Sequence, residues 1–160
     1  MTRPLNVLIL CTGNSARSIL AESLVNHFAH GAERAWSAGS RPTGRVNPQA
    51  IATLQAKGHP TKGLSSKTWD EFASADAPVM DIVITVCDNA AGETCPVWPG
   101  SPCTVHWGIP DPAEDGEFEL AYARLRARVE AMLALPLGDM SPAERAAALS
   151  RIHEECLREA

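Results

Sequence analysis

A short apolar run that leads directly into a loop of small and polar residues is the feature that most constrains the fold of this chain. The run covers residues 7–10, and the loop follows at residues 11–18, beginning with a cysteine. Beyond the loop, Leu20, Leu24 and Phe28 recur every fourth residue, a spacing that predicts an amphipathic helix. The order predicts a buried β-strand, a turn and a helix, with the loop at the start of the helix.

The residues of this loop suit the binding of a tetrahedral oxyanion. At the start of a helix, unpaired backbone N–H groups and the positive end of the helix dipole face a bound anion. We expect Gly13 to adopt backbone angles that direct successive N–H groups at one anion, and Arg17 to hold two of its oxygens with a planar guanidinium group. The predicted anion-binding residues are Thr12, Gly13, Asn14, Ser15, Ala16, Arg17 and Ser18.

Cys11, the first residue of the loop, is the predicted nucleophile. A thiol at a helix N-terminus beside a cation ionises readily, so we expect its pKa to lie at roughly 3.5–7.5. Ser18 is expected to add a hydroxyl hydrogen bond to the thiolate. In the alternative interpretation, Cys11 is a buried residue that ends a core strand, and Arg17 lies on the surface. The Gly, Asn, Ser and Arg at these positions favour the catalytic interpretation.

The remaining elements alternate in a way that predicts an α/β fold. Short strands are expected at residues 35–38, 82–86 and 104–106, and helices from residue 48, at residues 66–73 and from Phe118. This alternation predicts an open, mainly parallel four-stranded sheet flanked by helices. In such a sheet the ligand site lies at the carboxyl ends of the strands, where the cysteine loop is placed.

An additional helix is predicted after this core. Ser141 and Glu144 form a capping box with a proline directly after the serine, which predicts a helix over residues 142–159. We therefore divide the chain into one catalytic domain, residues 1–138, and a C-terminal helical extension, residues 139–160, packed on the same domain. A dimer contact and a docking surface for a reductant are alternative roles for this helix.

The loop, with five residues between its cysteine and its arginine, resembles that of the low-molecular-weight tyrosine phosphatases and of the arsenate reductases built on the same fold. The resemblance extends from about residue 6 to about residue 135 and includes residues 36–39, 83–87 and 106–112. It implies a phosphotyrosine phosphatase I-like fold. It also implies that Asp111, which lies between two prolines, protonates the oxygen that leaves the bound anion.

Two features favour the arsenate-reductase branch. Phosphatases of this family usually have paired tyrosines after the aspartate and its proline, whereas residues 113–115 here are Ala, Glu and Asp, and Tyr122 is the only tyrosine. In addition, Cys87 follows a predicted strand, and Cys95 follows a glycine-containing loop. The alternatives are a low-molecular-weight protein tyrosine phosphatase and a non-catalytic module that senses an oxyanion or thiol oxidation.

The resemblance implies a disulfide relay. Cys11 would attack arsenate, Cys87 would then attack Cys11 and release arsenite, and Cys95 would attack Cys87 to bring the disulfide to the surface. Phosphate and sulfate would compete with arsenate for the loop. The resemblance implies no bound cofactor, but an external thiol reductant. Thioredoxin is the first expectation, and glutaredoxin with glutathione is the second.

No metal site is expected. Thioredoxin-coupled relatives often hold a potassium ion with residues like Asn14 and Ser37 and a later acid. In this chain the place of that acid falls near Lys67, whose ammonium group would take the place of the ion.

The positions of the other cysteines favour a role in packing over a role in catalysis or metal binding. A zinc site would need Cys87, Cys95, Cys103 and His106, a set that lacks the short Cys-x2-Cys spacing of structural zinc sites. Cys103 is expected to be a small buried residue, with a spare resolving thiol as the alternative. Cys156 is expected to pack on the last helix.

Composition disfavours other classes of function. The chain of 160 residues carries a formal net charge of −5, which argues against a nucleic-acid partner. Its longest apolar stretches have the length of strands, and the N-terminus lacks a basic segment followed by a signal-like apolar region, so no membrane partner is expected. An odd number of cysteines suits reactive thiols in a cytoplasmic protein better than a disulfide framework.

Overall fold

The computed structural model describes residues 4–87, 98, 102–112 and 116–159. The strands in these residues are β1 (Leu5–Leu10), β2 (Glu33–Ala38), β3 (Ile82–Thr85) and β4 (Cys103–His106). The α-helices are α1 (Arg17–Phe28), α2 (Pro48–Ala56), α3 (Phe118–Leu133) and α4 (Pro142–Glu159), and short 3-10 helices cover Trp69–Phe72 and Leu137–Asp139. Among these helices, none has the length and hydrophobicity needed to span a membrane.

The four strands are parallel and lie in the order β2-β1-β3-β4. Leu10 pairs with Ala38 on one side and with Thr85 on the other, and Thr85 pairs with His106. The strands therefore end together at one edge of the sheet, which we call the carboxyl edge, and begin at the opposite edge, the amino edge. The predicted four-stranded parallel sheet with an additional C-terminal helix is confirmed.

The sheet separates two hydrophobic cores. Side chains alternate along β1, so Val7 and Ile9 face one core, while Leu8 and Leu10 face the other. The larger core packs α1, α3 and α4 against the sheet, and the smaller core contains the first 3-10 helix. Because β1 is completely buried from Val7 onward, the loop that follows it starts from a tightly packed base.

Local capping explains where several elements begin. The side chain of Asn47 caps α2, which starts at the predicted residue. Ser141 and Glu144 exchange hydrogen bonds as a capping box, and α4 also starts where predicted. Thr68 caps a single 3-10 turn, so the helix expected at residues 66–73 is shorter than predicted.

Candidate active site

The carboxyl edge brings together side chains that are far apart in the sequence. Cys11 follows β1 directly, Cys87 lies two residues beyond β3, and Asp111 lies in the segment after β4. Arg17, the first residue of α1, interacts with the Asp111 carboxylate. Four of the five predicted catalytic residues therefore lie at one site, while the fifth, Cys95, lies outside the described residues.

The loop at residues 11–18, which we call the anion loop, turns its backbone at Asn14. This residue has a φ of 44°, in the left-handed region that non-glycine residues rarely adopt. Its buried side chain stabilises the turn, because the amide nitrogen donates to Ser18 Oγ (2.8 Å) and the amide oxygen accepts from the N–H of Lys67 (2.9 Å). The unusual backbone angle therefore belongs to Asn14 and not to Gly13, contrary to the expectation. The sequence predicts a hydrogen bond from Ser18 to the Cys11 thiolate, whereas in this structure Ser18 Oγ accepts a hydrogen bond from the Asn14 side chain.

Gly39 permits the loop to pack closely against the end of β2. A Cβ atom at this position would lie 2.3 Å from the carbonyl oxygens of both Cys11 and Thr12, so a larger residue would displace the backbone of the loop. The Gly39 N–H donates to the carbonyl of Lys67, and its own carbonyl accepts from the N–H of Trp69. The role of Gly39 is not predicted from the sequence, although a glycine directly after a strand is a signal for such close packing.

The two thiols at the carboxyl edge interact with each other. Cys11 and Cys87 are both buried and free of disulfides, and their side chains are hydrogen-bonded. The N–H of Thr12 donates to Cys87 Sγ at 3.3 Å, and the Thr12 hydroxyl lies 3.7 Å from the same sulfur. Donors at the start of the anion loop are therefore directed at the sulfur of Cys87.

The pKa of Cys11 is raised above its ordinary value, so the low value expected from the sequence is wrong for this arrangement. The hydrogen bond to Cys87 is the largest cause, because it holds the proton on Cys11, and burial of the thiol is the second. The positive charge of Arg17 lowers the pKa, but by less. The thiol of Cys11 consequently keeps its proton while it is hydrogen-bonded to Cys87.

Arg17 links the anion loop to the segment that carries Asp111. Arg17 Nη1 donates to the carbonyl oxygen of Ile109 at 2.9 Å, and Nη2 lies 3.7 Å from Asp111 Oδ2. The Arg17 side chain is 15% exposed and that of Asp111 is 31% exposed, so both reach solvent. An anion bound by Arg17 would therefore lie close to the carboxyl group that is predicted to donate a proton.

A buried polar cluster supports the anion loop from its inner side. Glu22 on α1 accepts a hydrogen bond from Ser37 Oγ, and Lys67 Nζ lies 3.9 Å from the same carboxylate oxygen. Burial raises the pKa of Glu22, while Ser37 and Lys67 lower it. Glu22 is not predicted as a site residue, and the signal for it is a single acid among the buried residues of α1. In the part of the chain that the structure describes, no group of three or more His, Cys, Asp or Glu side chains is arranged to hold a metal ion.

Cys103 and Tyr122 lie away from this site. Cys103 begins β4 and pairs with Ile82, which places it roughly 16 Å from Cys87 along the strands at about 3.3 Å per residue. These two cysteines cannot share a zinc ion, and the expectation that Cys103 is buried is confirmed. The Tyr122 hydroxyl is hydrogen-bonded to His59 Nε2 (2.7 Å) within the core, so this tyrosine does not contribute to the site.

The fold and the site together define the class of protein. The chain belongs to the low molecular weight phosphotyrosine protein phosphatase family, whose model matches residues 6–140. Within that class it is similar to proteins named arsenate reductase. The arsenate reductase of Brevibacillus brevis is 34% identical over 126 residues, which cover 78% of this chain and 90% of that protein.

Solved structures show the same similarity. The crystal structure of arsenate reductase from Archaeoglobus fulgidus is 30% identical, with a TM-score of 0.66, and the match covers 81% of this chain and 99% of that one. A structure described as an arsenate reductase in the phosphate binding state is 29% identical, with a TM-score of 0.68, and the match covers 81% and 97% of the two chains. The predicted resemblance to arsenate reductases of this fold is confirmed.

Proposed function

We propose that this protein reduces arsenate to arsenite by a cysteine relay. The observation that carries the proposal is that the buried thiol of Cys87 lies at the anion loop, where the N–H of Thr12, the residue after Cys11, donates to its sulfur. Reduction of arsenate requires two electrons from such a pair of thiols. A phosphatase of this fold needs one cysteine only. The relatives named arsenate reductase support the proposal, and the structure in a phosphate binding state supports a tetrahedral oxyanion as the ligand.

In the first step, arsenate binds to Arg17 and to N–H groups of residues 13 and 15–18, because the N–H groups of Thr12 and Asn14 donate to Cys87 Sγ and to the Cys11 carbonyl. The Cys11 thiolate then attacks arsenic. One arsenic–oxygen bond breaks, and the oxygen leaves as water after Asp111 has supplied a proton. Because the hydrogen bond to Cys87 raises the pKa of Cys11, this bond opens before the attack, and the Cys11 proton passes to an oxygen of the bound arsenate dianion. The charge of Arg17 then stabilises the Cys11 thiolate.

In the second step, the Cys87 thiolate attacks the sulfur of Cys11. The electron pair of the sulfur–arsenic bond passes to arsenic, arsenite leaves, and a Cys11–Cys87 disulfide forms. Thr12 favours this step, because its N–H and hydroxyl groups lie close enough to Cys87 Sγ to stabilise negative charge there.

In the third step, we assign to Cys95 the attack on Cys87, which frees Cys11 and forms a Cys87–Cys95 disulfide. Cys95 lies outside the described residues, so its assignment rests on the resemblance in sequence. An external dithiol then reduces this disulfide, with thioredoxin as the first candidate and glutaredoxin with glutathione as the second. Such reductants act in a reducing compartment, and we therefore propose that the protein works in the cytoplasm.

The test is arsenate-dependent oxidation of NADPH by the full-length protein with thioredoxin and thioredoxin reductase, in parallel with glutathione, glutaredoxin and glutathione reductase. Activity with one system identifies the reductant, and activity with neither contradicts the proposal. Phosphate and sulfate are expected to compete with arsenate. The Cys95→Ser variant is expected to release one equivalent of arsenite and then stop, with a Cys11–Cys87 disulfide detectable by mass spectrometry.

A further inference from the structure

Helix α4 lies beyond residues 6–140, which match the family, yet it contacts the segment that leads to Asp111. The contact is made by Trp107, whose indole Nε1 donates to the backbone carbonyl oxygen of Leu149 in α4 at 2.9 Å. Trp107 is 1% exposed, so this hydrogen bond is shielded from water. A specific and buried link therefore joins the last helix to the segment before the predicted acid.

The backbone of the same segment is attached to the end of β3. The N–H of Trp107 donates to the carbonyl of Thr85 at 2.7 Å, and the N–H of Ile109 donates to the carbonyl of Val86 at 3.2 Å. These bonds continue the pairing of β3 and β4 as far as the residue before Cys87. Together with the bond to α4, they define the position of residues 107–109.

Ile109 connects this position to the anion loop. Its carbonyl oxygen accepts from Arg17 Nη1, while Arg17 Nη2 lies 3.7 Å from Asp111 Oδ2. A shift of Ile109 would move the acceptor that orients the guanidinium group and would change the distance between the acid and the bound anion. Since a displacement of about 1 Å can cost about 100-fold in rate, even a small shift at this segment matters for catalysis.

A second set of contacts holds α4 in place. Arg128 Nε on α3 donates to His153 Nδ1 on α4 at 3.0 Å, and the same guanidinium group donates to the carbonyl of Arg124. The ring of His153 also lies 6.3 Å from that of His106, whose Nδ1 is hydrogen-bonded to Thr85 Oγ1 at 2.7 Å. Helix α4 is thus attached to α3 and β4 independently of Trp107.

We propose that Trp107 is a positioning residue for the acid step and that α4 is its anchor. The proposal rests on the proposed function, since it concerns the step in which Asp111 protonates the leaving oxygen of arsenate. Trp107 acts through Ile109 and Asp111 and not by contact with the anion. The C-terminal helix then serves the reaction as well as the stability of the fold.

The test is a double-mutant cycle between Trp107→Phe and Asp111→Asn in the full-length protein. Phenylalanine keeps most of the buried aromatic surface and removes the N–H donor, while the carbonyl of Leu149 keeps its place in the helical hydrogen bonds of α4. With Asp111 present, we expect W107F to lower kcat about tenfold and to change KM less than about threefold. In the D111N background, the same substitution is expected to change kcat less than about threefold, because the acid is absent and only the smaller effect through Arg17 remains.

Trp69→Phe is the matched control, because Trp69 is also buried but lies in the smaller core on the other face of the sheet. Its kcat is expected to stay within about twofold of the wild-type value. Amide hydrogen exchange adds a readout that needs no arsenate. Within residues 107–112, exchange at the four amides of residues 107, 108, 109 and 111 is expected to become faster in W107F and to stay unchanged in W69F, since Pro110 and Pro112 have no N–H.

Two substitutions at His153 test the anchor from the helix side, and they apply even if W107F fails to fold. His153→Gln keeps an acceptor for Arg128, whereas His153→Leu removes it. H153L is expected to lower kcat and to speed exchange at residues 107–112, and H153Q is expected to retain wild-type values of both.

An equal loss of kcat from W107F in both backgrounds, or unchanged hydrogen exchange at residues 107–112, would overturn the proposal. The failure of the proposed function is a separate result, because it would show as wild-type protein that does not reduce arsenate with either reductant system. In that case the hydrogen-exchange comparison still decides whether α4 positions the Asp111 segment.

Discussion

Cys87 and Cys103 are both buried thiols next to strand ends, yet their chemical surroundings differ. Cys87 follows β3 at the carboxyl edge, where the N–H of Thr12 donates to its sulfur and the free thiol of Cys11 is hydrogen-bonded to it. Cys103 begins β4 at the amino edge, where burial is the main cause that raises the pKa of its thiol. The direction of the strands, and not the depth of burial, therefore separates the thiol beside the anion loop from the thiol at the opposite edge.

The two edges also differ in shape and charge. A cavity of about 610 Å³ lies at the amino edge, and its lining includes the carboxylates of Glu33, Asp81 and Asp139 together with Arg145. The carboxyl edge offers Arg17 and the N–H groups at the start of α1 instead. An oxyanion is repelled by clustered carboxylates, so charge favours the predicted anion site at the carboxyl edge over the cavity at the amino edge.

Substitution of the two cysteines is expected to give the largest difference between the edges. Cys87→Ser leaves Cys11 able to form an adduct with arsenate but removes the thiol that attacks it, so continuous release of arsenite is expected to stop. Cys103→Ser is the matched change at the amino edge, and its turnover is expected to stay within about twofold of wild type. Arsenite release with excess arsenate and reductant measures both. Sustained turnover of C87S would contradict the relay, and loss of turnover in C103S would bring the amino edge into the mechanism.

The two arginines give the next largest contrast. Arg17→Lys keeps the positive charge but loses the planar pair of donors, and kcat/KM for arsenate is expected to fall about 100-fold. Arg145→Lys alters a side chain that donates to the carbonyl of Leu137 at the amino edge, and its kcat/KM is expected to change less than about twofold. Initial rates over a range of arsenate concentrations distinguish the variants. A loss of less than about twofold in R17K would show that positive charge alone, rather than the planar geometry of Arg17, binds the anion.

Alanine substitutions at two glycines compare the two edges through the free energy of unfolding. Gly39→Ala places a methyl group against the carbonyl oxygens of Cys11 and Thr12 and is expected to lower the free energy of unfolding by about 2–3 kcal/mol. Gly138→Ala, at the amino edge, meets no atom within 4 Å, and a change below about 0.5 kcal/mol is expected. Urea denaturation measures both values. A change below about 0.5 kcal/mol in G39A as well would mean that the loop moves to accommodate a side chain at residue 39.

The smallest expected effect is a shift in the titration of Cys11. Because the hydrogen bond and charge of Cys87 raise the pKa of Cys11, Cys87→Ala is expected to lower that pKa and to enlarge the thiolate fraction at any given pH. The midpoint of the curve of alkylation rate against pH should therefore move to lower pH, as measured by iodoacetamide labelling and mass spectrometry of the Cys11 peptide. Cys103→Ala is the control, with an unchanged midpoint. The midpoint is informative because a simple gain in access would raise the rate at every pH without moving it.

Much of the fold can be predicted from the sequence because its signals are local. The apolar run ahead of Cys11 defines β1, and the capping residues Asn47 and Ser141 define the starts of α2 and α4. The alternation of strands and helices also predicts that Cys11 and Asp111 lie at the same edge. Each of these inferences needs only neighbouring residues and the right-handed, parallel connection of strands.

The predictions that were wrong, the residue with the positive φ and the pKa of Cys11, concern properties that depend on residues far away in the chain. Asn14 adopts the positive φ because its amide group bonds to Ser18 and to the backbone of Lys67, and the latter contact exists only after β2 and the following segments have packed. The pKa of Cys11 rises because Cys87 arrives from β3. No local pattern around Cys11 contains that information.

Local sequence patterns account for the order of the elements and for the supply of reactive groups, from the cysteine and arginine of the first loop to the aspartate between two prolines. Which of these groups meet depends on the tertiary structure. It brought Cys87 to Thr12 and Cys11, left Cys103 at the opposite edge, and joined Trp107 to a helix outside the matched family region. The physical reason is that periodicity and capping act over a few residues, whereas hydrogen bonds, burial and charge act through distances that exist only once the strands are aligned.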